Sequence, residues 1–150
     1  MHIDTQFSIF MVNKPGVLAR VLNEFAEARI NIIAMTMMDS VEHGVMRIVG
    51  GSQERIRKLL AQLNLPNSET DVLCVTLPNR AGALAVITQK LAEAHINIVY
   101  AYCTAGARGG RTTGVLKVTD VKKAMKVLEG HVDKSPKSKP KVRRSPASRK

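Results

Sequence analysis

Asn13-Lys14-Pro15-Gly16-Val17-Leu18, continued by Ile30-Asn31-Ile32, returns 66 positions later as Asn79-Arg80-Ala81-Gly82-Ala83-Leu84 and Ile96-Asn97-Ile98. Aligned without gaps, residues 13–34 and 79–100 share 10 of 22 positions, among them Ala26-Glu27-Ala28 against Ala92-Glu93-Ala94. Identity at this level is far above chance, so the chain is a duplication whose repeat unit decides the fold.

The residues around each copy alternate between strand and helix signals. Phe7 to Val12 is a short run of strand formers. Asn13 ends it, and Pro15 suits the first turn of a helix, where its missing N–H costs nothing. Val17, Leu18, Val21, Leu22 and Phe25 fall on one helical face. Ile32–Met38 reads as a second strand, Glu42-His43-Gly44 as a turn, and Val45–Val49 as a third strand stopped by Gly50-Gly51. Ser52 is placed to cap a second helix with Ile56, Leu59, Leu60 and Leu63 on its apolar face. Thr70–Leu77 is then a strand that both closes the first unit and opens the second.

The second unit repeats this order. Leu84, Ile87, Leu91 and Ala94 mark a helix, Ile98–Thr104 a strand, 105–110 a glycine-rich turn and Val115–Val118 a return strand. Asp120 can cap a helix whose apolar face is Val121, Ala124, Met125 and Leu128. No fourth strand is evident after it. The expected solutions are a stub beginning at Val132-Asp133, or a partner chain covering that sheet edge.

Composition narrows the function classes. The 150 residues suffice for one ordinary domain or two small ones. With no Trp, two Tyr and three Phe, the core is aliphatic. The formal charge is +11, yet eight of the 23 Lys and Arg follow Asp133, where there is no acid. The fold is therefore nearly neutral, and residues 134–150, rich in Ser, Pro, Lys and Arg, read as a disordered basic tail. Cys74 and Cys103 each sit in an apolar run and are expected to be buried free thiols rather than a disulfide framework. The start of the chain lacks the pattern of a signal peptide, and no apolar run approaches membrane-spanning length. A soluble cytoplasmic protein without membrane partners is expected.

A strand, Asn-x-x-Gly-x-Leu, an amphipathic helix, then Ile-Asn-Ile and a hairpin, resembles the ACT domain, an amino-acid-binding regulatory module. The first copy is especially similar to the regulatory domain of phosphoglycerate dehydrogenase, and the resemblance covers roughly residues 5–130. It implies an α+β protein of two ferredoxin-like βαββαβ modules, residues 1–68 and 69–133, forming antiparallel sheets with helices on one face. It further implies side-by-side pairing into an eight-stranded sheet, with amino acids bound near the module or dimer interface.

The loop chemistry fits such a ligand independently. The first turn of a helix offers unpaired N–H groups and a partial positive charge, which favour an α-carboxylate. Glycine at 16 and 82 admits a close backbone approach. Asn13 and Asn79 can hold a carboxylate or cap the helix, and Asn31 and Asn97, flanked by apolar residues, need partners. Carried over from the resembling domains, the ligand contacts are Asn13, Gly16, Val17, Leu18 and Asn31, with Asn79, Gly82, Ala83, Leu84 and Asn97. The dehydrogenase domain carries a ligand-contacting histidine two positions before the loop asparagine. Met11 and Leu77 stand there, so the resemblance does not specify serine.

Other signals point away from catalysis. Gly106–Arg111 is not at a strand-to-helix junction as phosphate loops are. The histidines at 2, 43, 95 and 131 show no metal-ligand spacing with one another or the cysteines. Methionines 35, 37, 38 and 46 are expected in the core or in part an interface. No nucleophile has a recognisable base. The expectation is a non-enzymatic, cofactor-free, homodimeric protein that binds a small amino acid and regulates amino-acid metabolism. Two alternatives stand beside it. One is a regulatory subunit or scaffold bound to a metabolic enzyme such as acetolactate synthase, without a ligand of its own. The other is a nucleic-acid-associated protein making weak, non-specific, salt-dependent contacts through residues 134–150.

Overall fold

The strand before each Asn-x-x-Gly loop is longer than its apolar run, because polar residues ahead of it, Asp4-Thr5-Gln6 in one case and Asn67 to Asp71 in the other, also take part in strand pairing. In the computed structural model, which describes residues 1–38, 43–104 and 110–130, the elements run β1 (His2–Val12), α1 (Val17–Glu27), β2 (Ile32–Met38), β3 (His43–Gly50), α2 (Gln53–Gln62), β4 (Asn67–Pro78), α3 (Ala83–Glu93), β5 (Ile98–Cys103), β6 (Arg111–Val118) and α4 (Val121–Leu128). The stub at 132–133 and the tail 134–150 lie outside the described residues, as do most of the glycine-rich turn and the start of the turn at Glu42.

All six strands form one antiparallel sheet in the order β2-β3-β1-β4-β6-β5. β4 closes the first βαββα unit by pairing with β1, from Ile9 opposite Asn67 to His2 opposite Cys74. The same contact closes the second unit. β1 lies beside β4 where a fourth strand of that unit would lie, so each half's first strand is the other half's last. This corrects the expectation of a terminal stub or a partner chain at that edge. The sheet also has six strands among the described residues where the resemblance implied eight, since two strands serve twice.

Residues directly opposite across the β1–β4 seam share a face, and this sets two layers. Phe7, Ile9 and Met11 of β1 join Met46 and Ile48 of β3 under α1 and α2, meeting Val21, Phe25, Ile56 and Leu60. Leu73, Val75 and Leu77 of β4 join Leu116 and Val118 of β6 under α3 and α4, meeting Ile87, Leu91, Ala124 and Leu128. All four helices therefore cover one face. Each fully buried Leu or Ile contributes about 1.5–3 kcal/mol of burial, so both cores are substantial.

The duplication extends to individual hydrogen bonds. α1 ends with Ile30 N–H donating to Phe25 O (2.9 Å) and Arg29 N–H to Ala26 O (2.9 Å). α3 ends with Ile96 N–H to Leu91 O (2.8 Å) and His95 N–H to Ala92 O (2.9 Å). These are paired six-to-one and five-to-two helix stops. Arg29 and His95 take left-handed φ of 52° and 54° to make them.

Three local expectations change. Pro15 precedes the helix instead of opening it, because Gly16 is the N-cap. Cys74 is buried but Cys103 is exposed, since β5 is an edge strand. Met46 is fully buried, whereas Met35, Met37 and Met38 lie exposed on the opposite edge strand β2.

Candidate functional site

The two Asn-x-x-Gly loops have the same construction. Lys14 N–H donates to Val12 O (3.1 Å), Val17 N–H to Lys14 O (3.3 Å) and Arg20 N–H to Gly16 O (3.0 Å). The second loop repeats this with Arg80 to Pro78 (2.9 Å), Ala83 to Arg80 (3.3 Å) and Val86 to Gly82 (3.2 Å). Gly16 and Gly82 are N-caps with φ of 86° and 84°, a region L-residues avoid. A Cβ on either would meet nothing within 4 Å. The glycines are thus required by the turn's hand, not by crowding within the chain. The loop bond to Val17 or Ala83 leaves the next two N–H groups, of Leu18 and Ala19 or Leu84 and Ala85, outside the helical ladder at its positive end.

A cavity opens beside each loop. The first, ≈ 350 Å³, is lined by Phe10, Val12, Val17, Arg20, His43 and Pro66 among others. The second, ≈ 310 Å³, is lined by Asn79, Arg80, Ala83, Leu84, Cys103 and Thr112 among others. Each has an arginine, Arg20 or Arg80, among its lining residues. Thr104 and Thr112 add hydroxyls to the second cavity, and Thr104 Oγ1 accepts from Thr113 N–H at 2.9 Å.

The loop and strand asparagines of each half are not brought together. Val12, next to Asn13, is opposite His43 at one end of β3; Asn31 O accepts from Gly51 N–H (3.1 Å) beyond the other end. Seven steps of strand separate them, about 24 Å at ~3.4 Å each. Likewise Asn79 N–H donates to Gly110 O (2.8 Å) before β6, and Asn97 O accepts from Thr119 N–H (3.0 Å) after it. Asn31 and Asn97 are exposed, and their backbone carbonyls are engaged with the turns beside them.

The face without helices carries a polar network that the apolar runs gave no sign of. The sheet curls so that Tyr100 on β5 reaches β1, three strands away. Gln6, fully buried, donates from Nε2 to Tyr100 Oη (2.7 Å) and to Ser8 Oγ (3.3 Å), while its Oε1 accepts from Tyr102 Oη (3.1 Å). The Arg47 guanidinium lies 4.1 Å from the centre of the Tyr100 ring. Burial first, then the neighbouring Tyr100, pushes the Tyr102 hydroxyl well above the usual phenol range. The alternation of Gln6 and Ser8 with Phe7 and Ile9 was the available signal. The apolar part of this face is Ala34, Val49, Val72, Cys74 and Val115. Burial, then the Asp4 charge, pushes the Cys74 thiol up to about 11. Also on this face, His2, Asp4 and Cys74 hold their ligand atoms within 4.8 Å of one another.

Comparison with known proteins agrees with this architecture. The family described as ACT domain pair matches residues 1–133. The chain is similar to the crystal structure of a protein from Bacteroides thetaiotaomicron, at 29% identity and a TM-score of 0.80, covering 87% of this chain and 90% of that one. It shares a fold with the ligand-free regulatory subunit of aspartate kinase from Thermus thermophilus, at 13% identity and a TM-score of 0.61, over 86% and 96% of the two chains. A structure of aspartokinase alpha and beta subunits is likewise similar in fold, at 23% identity and a TM-score of 0.54, over 86% and 95%. Among curated proteins none matches the chain. Among the described residues no helix is long and apolar enough to cross a membrane. Two βαββα units, each closed by the first strand of the other and each with an Asn-x-x-Gly helix start, make up the matched region: the chain is a member of the ACT domain pair family.

Proposed function

We propose that this chain is a non-catalytic regulator, with modules at residues 1–68 and 69–133, that binds a small amino acid at its Asn-x-x-Gly loops and passes the binding to amino-acid metabolism. The observation that carries this is the duplicated loop with a cavity of ≈ 310–350 Å³ beside it. A carboxylate would sit against the N–H groups of Leu18 and Ala19, or of Leu84 and Ala85, with Arg20 or Arg80 nearby. Asn13 and Asn79 would orient the amino-acid backbone. The apolar walls, Val17 or Ala83 and Leu84, would receive the side chain.

Asn31 and Asn97 enter the site through a second chain. The outer edges β2 and β5 carry exposed Ile33, Met35, Met37, Met38 and Val99, and an edge strand is a template for further pairing. Antiparallel pairing of β2 with β2 of another copy would bring that copy's Asn31 to the end of β2 nearest the Asn13 loop. Ligand binding then couples to homodimer geometry, with a coupling of about 1–3 kcal/mol available to a metabolic enzyme partner.

The test is a thermal-shift screen of the chain against the twenty amino acids, joined to alkylation of Cys103. A ligand at ~100 times its dissociation constant adds ~2.7 kcal/mol, or several degrees. Cys103 lines the second cavity, so a ligand there slows its alkylation. A flat screen at millimolar concentrations overturns the reading. A thermal rise with unchanged Cys103 alkylation moves the ligand away from the second loop.

A further inference from the structure

The pairing that closes both halves also assembles donor atoms remote in sequence. His2 is directly opposite Cys74 across the β1–β4 seam, and Asp4, two residues along, shares its face. We propose that His2, Asp4 and Cys74 form a binding site for a single divalent transition-metal ion of the zinc type, pinned across the seam between the two halves.

Geometry and donor chemistry both favour this. His2 Nε2 lies 3.4 Å from Asp4 Oδ2. Two ligands on a tetrahedral ion with bonds of about 2.0 Å are about 3.3 Å apart, so this pair is already at coordination spacing. The Cys74 sulfur completes a triangle whose sides are all within 4.8 Å. The remaining closure falls to His2, whose side chain is 60% exposed and free of core packing.

Imidazole, carboxylate and thiolate together suit an ion of intermediate softness and disfavour magnesium or calcium, which take oxygen ligands. Asp4 is already oriented from behind. Its Oδ1 accepts from Gln53 Nε2 (2.9 Å) and from Thr5 N–H (2.8 Å), which leaves Oδ2 for the ion. Such outer hydrogen bonds fix the direction of metal-binding carboxylates. On binding, the Cys74 S–H bond breaks, its proton passes to solvent and a sulfur–metal bond forms. His2 Nε2 and Asp4 Oδ2 each donate a lone pair. Three protein ligands leave a fourth tetrahedral position for water.

The experiment uses the full chain without an affinity tag, titrated with Co²⁺ and followed by absorption. The expected result is one Co²⁺ per chain, with the visible bands of a tetrahedral ion and a near-ultraviolet thiolate-to-cobalt band, both displaced by Zn²⁺. Cys74→Ser should remove the thiolate band, and Cys103→Ser should keep it. His2→Ala and Asp4→Asn change partly exposed positions and should fold. Each should weaken Co²⁺ by at least about tenfold, and Gln53→Ala by about 10–100-fold. The proposal is overturned if the wild-type chain gives no thiolate band, or if that band survives Cys74→Ser. Wild-type Co²⁺ affinity in both His2→Ala and Asp4→Asn also overturns it, and decides the matter should Cys74→Ser fail to fold.

Discussion

Ile56→Ala tests whether the halves stand or fall together. Ile56 is fully buried on α2 in the first core, against Gly50 of β3. Truncating a buried isoleucine costs about 2–5 kcal/mol, set by how far the cavity collapses. The gain in helix propensity on α2 returns a few tenths of a kcal/mol. For a folded region of this size, 1 kcal/mol moves the melting point by about 3–5 °C, so the shift should be about 5–23 °C. The informative assay reads both halves in one scan. Far-ultraviolet circular dichroism follows every element. Tyrosine fluorescence follows β5 and its contacts with Gln6 and Arg47 of the first half, since both tyrosines, Tyr100 and Tyr102, are on β5. Losing the first core frees β1, which strips β4 of its partner and the tyrosines of Gln6. Both signals should therefore shift together in one transition. A tyrosine transition that stays at its wild-type temperature while the dichroism splits in two would refute the strand exchange as an energetic link.

Four further outcomes follow from single residues. Gly16→Ala and Gly82→Ala should each cost about 1–2 kcal/mol in urea unfolding, the usual penalty of a left-handed L-residue; unchanged midpoints would show that φ is not what these positions require. Asp120 accepts from Lys123 N–H at 2.9 Å, while Ser52 makes no side-chain cap bond. Asp120→Ala should thus cost about 1 kcal/mol and Ser52→Ala much less, and equal losses would contradict that difference. Native alkylation should modify one thiol, Cys103, and denaturation should release the second, Cys74; two reactive thiols in the native chain would place Cys74 wrongly. Cys74 also makes stability pH-dependent. Its folded value of about 11 lies above its unfolded one of about 9, so the unfolded state loses its proton first. That contribution is intact below pH 9 and stability falls between about pH 9 and pH 11, in a urea series that Cys74→Ser should flatten.

The repeat, the element order and the helix faces were all readable from local pattern. Spacing of apolar residues reports which side of a helix or strand is buried, as Val21 and Phe25 or Ile87 and Leu91 do. The Asn-x-x-Gly loops were readable because a left-handed N-cap demands glycine in both copies. What periodicity cannot report is which strand lies beside which. The β1–β4 pairing joins residues 58 to 72 positions apart, and its gain is set against a loop-closure cost that no local window contains. That one non-local choice supplied the second half's missing strand and put Gln6 within reach of Tyr100 and Tyr102. It also placed His2 opposite Cys74, and by making β2 and β5 the outer edges it left Met35, Met37, Met38 and Cys103 exposed. The sequence by itself determined two copies of a βαββα unit with a shared loop chemistry. Only the tertiary structure decided that each copy is completed by the other, because a strand's hydrogen-bonding edges are the same for every partner and packing alone selects among them.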